Sequence, residues 1–250
     1  MEKKKSSSKA ITALTVACAV TLGFVFGLSF SQEKPQVHPI ADFKIEREAY
    51  HLVYDSQHKQ AKWVYEHLTA DRINGSADRS KFDFMEDPLI PAPLRSTKED
   101  YAKSGFDRGH LCPAADARTN DNAMKETFYL SNISPQCPQF NRGYWAQLEK
   151  HVRVLAQEHG SVHVYTGGLY LPQEGPDGKR YVRYQVIGPN DVAVPTHYFK
   201  IVLDDRYKLI EAFVLPNQPI SANTPLEQFH ASLEKIERSA GALFREISVK

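Results

Sequence analysis

The stretch SGFDRGHLCPAAD, Ser104 to Asp116, sets an acid, a fixed cation, a glycine and a titratable base side by side in Asp107-Arg108-Gly109-His110. Such a run makes a poor core strand, because charged groups are costly to bury unless paired. It suits a site where a phosphate meets a metal ion. Opening a phosphodiester with water requires a base, and an imidazole with an ordinary pKa near ~6.5 is suited to that task. The charge that builds on phosphorus and on the leaving oxygen requires a cation, and Mg²⁺ serves both. Arg adds planar donors for phosphate oxygens.

The flanking sequence supplies matching groups. SNISPQ, Ser131 to Gln136, carries Asn132 and Gln136, and FNRGYWAQLE carries Asn141 at a helix start and Glu149 two turns on. Mg²⁺ prefers oxygen donors, which an Asn carbonyl or a carboxylate provides. On an ideal helix Asn141 and Glu149 lie about 80° apart, at 100° per residue. That is too far for one ion to touch both, and it leaves Glu149 to hold a metal-bound water. Asp107 reads as structural, bonding backbone amides, and Trp145 as core.

Other chemistries are missing. The chain has no G-x-S-x-G elbow, no H-E-x-x-H helix, no P-loop and no C-x-x-C pair. Its 250 residues, 42% hydrophobic, suffice for one large domain.

The amino terminus stands apart. MEKKKSSSKA is basic and polar, and Ala10 to Phe30 carries no charge. This pattern predicts a signal sequence or membrane anchor over residues 1–31, followed by a linker over 32–42 and a domain over 43–250. The lysines at the start orient the domain outward, so export to a periplasmic or extracellular face is expected, with an N-terminal membrane contact. A mitochondrial address is the alternative, although a presequence of that kind is Arg-rich and this segment has no Arg. Without residues 1–31 the chain has 27 basic and 29 acidic residues. Net charge therefore lends no support to a nucleic-acid partner, and that case rests on local residues. Of the three cysteines, Cys18 belongs to the leader; Cys112 and Cys137 read equally well as a disulfide or as two thiols.

Periodicity predicts an α+β domain, a mostly antiparallel sheet flanked by helices. Glu48 to Thr69 reads as two strands joined at Ser56 to Lys59. Further strands are predicted at Val162–Thr166, Tyr181–Ile187, Val192–Leu203 and Leu209–Leu215. DNAMKETFYL and NRGYWAQLEKHVRVLAQEHG read as helices, the second stopped by Gly160. A last helix is predicted from Thr224 as N-cap, with Pro225 at its first position and Leu226, Phe229, Leu233, Ile236 and Leu243 as its buried stripe.

DRGH, TFYLSNISPQ and NRGYWAQLE together resemble the DNA/RNA non-specific endonuclease family with its ββα-metal site. DRSKFDF (Asp78 to Phe84), DGKRYVRYQVIG (Asp177 to Gly188), VAVPTHYFK (Val192 to Lys200) and the run from Pro225 to Phe244 resemble its endonuclease G branch. The likeness runs in order from about Phe43 to the end. It implies His110 as general base, Asn141 as the direct Mg²⁺ ligand (Mn²⁺ being the alternative ion), and Glu149 as support for the metal's waters. It implies Arg79 as a catalytic phosphate contact, Arg108 as a second phosphate neighbour, and Asn132 and Gln136 as residues behind these. Cys112 departs from the pattern, where the family usually has a small or apolar residue. The implied activity is sequence-non-specific hydrolysis of DNA and RNA to 5′-phosphate ends, by a homodimer. The competing reading is a catalytically weak nucleic-acid-binding or uptake protein at the cell surface.

Overall fold

A computed structural model describes residues 42–244. The leader expected at 1–31 and its linker lie outside these residues, apart from Asp42, which opens the first strand. Among the described residues no helix is long and apolar enough to cross a membrane.

The architecture is α+β, as expected. Six strands form the central sheet in the order Asp42–Glu46, His51–Asp55, Gln60–Thr69, Ser161–Leu169, His197–Leu203, Leu209–Pro216, and every neighbouring pair is antiparallel. Alternation explains the two faces. Leu52, Tyr54, Val64, Leu68, Val164, Tyr198 and Val202 point to one side, where Leu148, Val152 and Leu155 of the helix Ala146–His159 cover them. Phe199, Ile201, Leu203 and Ala212 point to the other, where Ile236 and Phe244 cover them. Each fully buried side chain of this size contributes about 1.5–3 kcal/mol of apolar transfer.

A second, two-stranded element carries the opening motif. Asp107–His110 pairs antiparallel with Ile133–Gln136. Tyr198 and Asn217 anchor it to the main sheet, both donating to the Pro135 carbonyl at 2.8 and 3.1 Å. Ser134 Oγ also lies 2.6 Å from Tyr198 Oη. The connection between the two strands is closed by Asn132. Its Oδ1 accepts from Cys112 N, and its Nδ2 donates to the carbonyls of Cys112 and Thr127, each at 2.9 Å.

The helix that follows does not begin as an α-helix. Phe140–Trp145 forms a π-helical turn, and only from Ala146 does the α-helix proceed, to His159, with Gly160 (φ 84°) after it. A π turn absorbs one extra residue. The eight-residue step from Asn141 to Glu149 then acts as seven, and the expected 80° shrinks to about 20°. The two side chains share a face.

Three predicted elements differ. Tyr181–Ile187 is not one strand: Arg180–Tyr181 and Val186–Ile187 pair separately with short partners. Val182, Tyr184 and Val186 are exposed, so no packed face holds that segment straight. Val192–Leu203 is broken before His197, and Pro195, which has no N–H to offer a ladder, lies in the break. The predicted helix from Thr224 is a short 3₁₀ turn, Leu226–Phe229, and the α-helix starts at Leu233 with Ser232 as its cap. Between them His230 bridges Phe213 and Ala231 N donates to the Ala212 carbonyl, so pairing with the sheet edge displaces the helix. Leu243 is 57% exposed, and Phe244 takes the buried position.

Gly109 is required by packing. A Cβ there would fall 2.1 Å from Gln136 Oε1 and 2.6 Å from its Cγ, and Gln136 is fully buried. Gly109→Ala should therefore cost about 1–3 kcal/mol, read as a Tm lower by several degrees. The loss in Gly109→Ala/Gln136→Ala should be smaller than the sum of the single losses. Thermal unfolding of the three variants checks this, and a wild-type Tm for Gly109→Ala would contradict it.

Candidate active site

A cavity of about 360 Å³ opens where the DRGH strand, the π turn and the loop before them meet. Arg79, Arg108, His110, Asn141, Arg142 and Glu149 line it. Five of these are the residues singled out in the sequence, brought together from three separate segments. Asp78 caps the short turn that bears Arg79 by accepting from Ser80 N at 2.9 Å.

An aromatic platform supports the basic groups. The ring centroids of Phe84 and Phe128 lie 5.3 and 5.0 Å from that of His110, Phe128 at near-perpendicular orientation. The Arg108 guanidinium lies 4.8 Å over Phe84, and that of Arg79 5.9 Å over Phe128. His110 Nε2 is sealed from solvent and has no hydrogen-bond partner. Burial, helped by the Arg79 charge, pushes the His110 pKa down to about 3. The ring is neutral at physiological pH.

Asp107 links the strand to the helix start. Its carboxylate accepts from Asn141 Nδ2 at 2.9 Å and from Arg142 at 2.6 and 2.8 Å. The expectation that it would bond backbone amides is corrected: it holds side chains. Since Asn141 commits its amide nitrogen to Asp107, its Oδ1 is left as the free acceptor. Arg142 draws the Asp107 pKa below the ordinary range, against the opposing effect of burial.

Behind Glu149 lies a buried set of charges. Burial pushes the Glu149 pKa up to about 7; Lys200, Arg153 and Arg79 oppose the rise and Asp116 adds to it. Arg153 bonds Asp116 at 2.8 Å. Lys200, buried within its strand, donates to Thr166 Oγ1 at 2.7 Å and lies 5.3 Å over the Trp145 ring. Glu66 accepts from Cys112 Sγ at 3.3 Å, and burial beside Asp116 raises its pKa. Cys112 and Cys137 are free thiols, so the disulfide alternative is not realised. Cys112 faces this inner cluster rather than the cavity.

Asn132 and Gln136 do not line the cavity. Asn132 is the clamp described above, and Gln136 packs over Gly109 with both amide atoms unbonded. The sequence reading missed Arg142, the Phe84–Phe128 platform and the Glu66–Lys200–Asp116 cluster. Glu66 and Lys200 did leave a trace: each puts a charge at an inward position of an apolar strand, WVYEHL and HYFKIVL.

Comparison with known proteins identifies the family. The family model described as DNA/RNA non-specific endonuclease matches residues 35–247. The human protein named Endonuclease G, mitochondrial, is 48% identical over 201 residues, which is 79% of this chain and 68% of that one. Nuclease C1 of Cunninghamella echinulata var. echinulata is 47% identical over 207 residues, 80% of this chain and 81% of its own. A crystal structure of the EndoG/EndoGI complex, which bears on the mechanism of EndoG inhibition, superposes with a TM-score of 0.79 at 45% identity, covering 84% of this chain and 89% of that one. The chain belongs to the DNA/RNA non-specific endonuclease family, in its endonuclease G-like branch, and is a nuclease acting on phosphodiester bonds.

Proposed function

We propose that the protein is a Mg²⁺-dependent endonuclease that cuts DNA and RNA with little regard to sequence and leaves 5′-phosphate ends. The convergence of His110, Asn141, Glu149, Arg79 and Arg108 on one cavity carries this reading.

The donor set suits a hard divalent ion. Asn141 Oδ1 is the acceptor that Asp107 leaves free, and the Glu149 carboxylate shares its cavity. When bound, Mg²⁺ (or Mn²⁺ in its place) would offset negative charge on the scissile phosphate and on the departing 3′ oxygen. Arg79 and Arg108 hold the non-bridging phosphate oxygens from the aromatic platform. His110 takes the proton of the attacking water. Its Nε2 is sealed, so the proton goes to Nδ1 and the resting ring carries its hydrogen on Nε2. Asn132 holds the backbone two residues beyond His110 and fixes the ring's approach.

The groups that face the cavity address phosphate, and contacts of that kind carry no sequence information. An adjoining cavity of about 330 Å³ shares Arg79, Ala114 and Ala115 and adds Arg118. It extends the track and favours a polymer over a small nucleotide. The leader at 1–31 serves to place the domain across or on a membrane. The mitochondrial names of the human, bovine and yeast relatives support the mitochondrial alternative to export. A homodimer completes the proposal; sedimentation of the full chain at twice its monomer mass would bear it out.

The full chain should cut plasmid DNA and structured RNA in Mg²⁺ and stop on chelation, with fragments that accept ligation without added kinase. Binding to both polymers with no cleavage would replace this reading with that of the uptake protein.

Proton and metal compete at Glu149. Its carboxyl is protonated below about pH 7, so apparent affinity for the ion should weaken by about tenfold per pH unit below that point and level off above it. Glu149→Gln should bind more weakly and show no such slope. Mn²⁺ titration followed by electron paramagnetic resonance at several pH values reads both; a slope kept by Glu149→Gln would place the proton on another group. Asp107→Ala, which releases the Asn141 amide, should weaken ion affinity or turnover by about 10–100-fold with the fold intact. Unchanged values would show that Asn141 does not need that anchor.

A further inference from the structure

The strand Gln60–Thr69 turns Glu66 toward the buried cluster behind the cavity, so its neighbour His67 points to the opposite face of the sheet. There His67 pairs in register with His163 on the adjacent strand. The two rings stack with centroids 4.5 Å apart and planes 15° apart. The Nε2 atoms of both lie 3.8 Å from Asp205 Oδ1, and the three ligand atoms fall within 4.8 Å of one another.

The surroundings fit a ligated ion. His67 Nε2 is shielded from solvent and has no hydrogen-bond partner, an orphan nitrogen of the kind native structures rarely leave. The other nitrogen of His163, Nδ1, lies 2.6 Å from Tyr65 Oη, which fixes the ring with Nε2 turned to Asp205. Such an outer contact is what orients metal-bound imidazoles. Tyr207 stacks on His163 at 4.4 Å, and Ser161 Oγ donates to the Asp205 carboxylate. Asp205 is 64% exposed, which gives an ion its entry and a water the fourth position. Tetrahedral zinc at 2.0–2.1 Å would hold ligand atoms about 3.4 Å apart, so the 3.8 Å separations to Asp205 close by about half an ångström, while the two imidazoles, whose ligand atoms lie within 4.8 Å, turn out of their stacked arrangement to converge on the ion.

We propose that His67, His163 and Asp205 form a second metal site, separate from the catalytic cavity, that takes Zn²⁺ or a transition ion of the same class. Two imidazoles and one carboxylate suit that class, and Mg²⁺ is a poor competitor for imidazole. Bound there, the ion ties the two strands to the turn after His197–Leu203.

Zn²⁺ alone is the probe, added to the full chain in excess Mg²⁺. At a hundredfold excess over Kd, Tm should rise by roughly 5–10 °C, and Co²⁺ in its place should give the visible absorption of a tetrahedral site. His67→Ala and His163→Ala should abolish both signals. Asp205→Asn, at an exposed position that leaves the packing alone, should weaken Zn²⁺ at least tenfold and keeps the test decisive if the histidine variants unfold. His110→Ala and Asn141→Ala should retain wild-type Zn²⁺ affinity. No rise in the wild-type chain, full affinity in Asp205→Asn, or loss of the signal in His110→Ala or Asn141→Ala would overturn the proposal.

Discussion

One carboxylate fastens the site together. Asp107, at the start of the DRGH strand, accepts from Asn141 and Arg142 in the first turn of the next helix. This contact couples the strand that carries His110 to the helix that carries Glu149. It also settles which atom of Asn141 faces the cavity. The π turn belongs to the same constraint, since it brings Asn141 and Glu149 to one face. In an ordinary α-helix the two would diverge by about 80°.

The buried charges explain why the site is poised rather than merely assembled. Glu149 is held with a pKa near 7, so its carboxyl passes between neutral and anionic forms in the physiological range. Lys200, Arg153 and Arg79 keep its anionic form within reach, against the effect of Asp116. Removing one member would leave its partner as an unpaired buried charge, which is the costly outcome for such networks. His110 shows the opposite tuning. Its low pKa keeps the ring neutral, while its aromatic walls hold it in one orientation.

Much of this was legible in the sequence where the signal was local. Strand alternation from Glu48 to Thr69, the Leu148–Val152–Leu155 stripe and the Gly160 stop all correspond to observed elements. His110, Asn141 and Glu149 were legible as residue types suited to one chemistry. Their shared face was not, because a π turn has no composition of its own and periodicity assumes 3.6 residues per turn. Asp107 was misread because its partners lie more than thirty positions away. The segment Tyr181–Ile187 has strand composition but lacks a face to bury, and tertiary context overrode it. Gly109 proves to be a floor for Gln136, a contact that its neighbours in sequence do not announce. The His67–His163–Asp205 group could not be read at all, since it depends on strand register.

The central claim is that His110 acts as the base. Single-turnover cleavage of DNA by the full-length wild-type chain and by His110→Ala, with DNA binding measured in parallel, tests it most directly. The account predicts a rate loss of at least about 10²–10⁴-fold for the variant, with DNA affinity little changed and still falling with added salt. Cleavage by His110→Ala at close to the wild-type rate would contradict it and move the base to another residue.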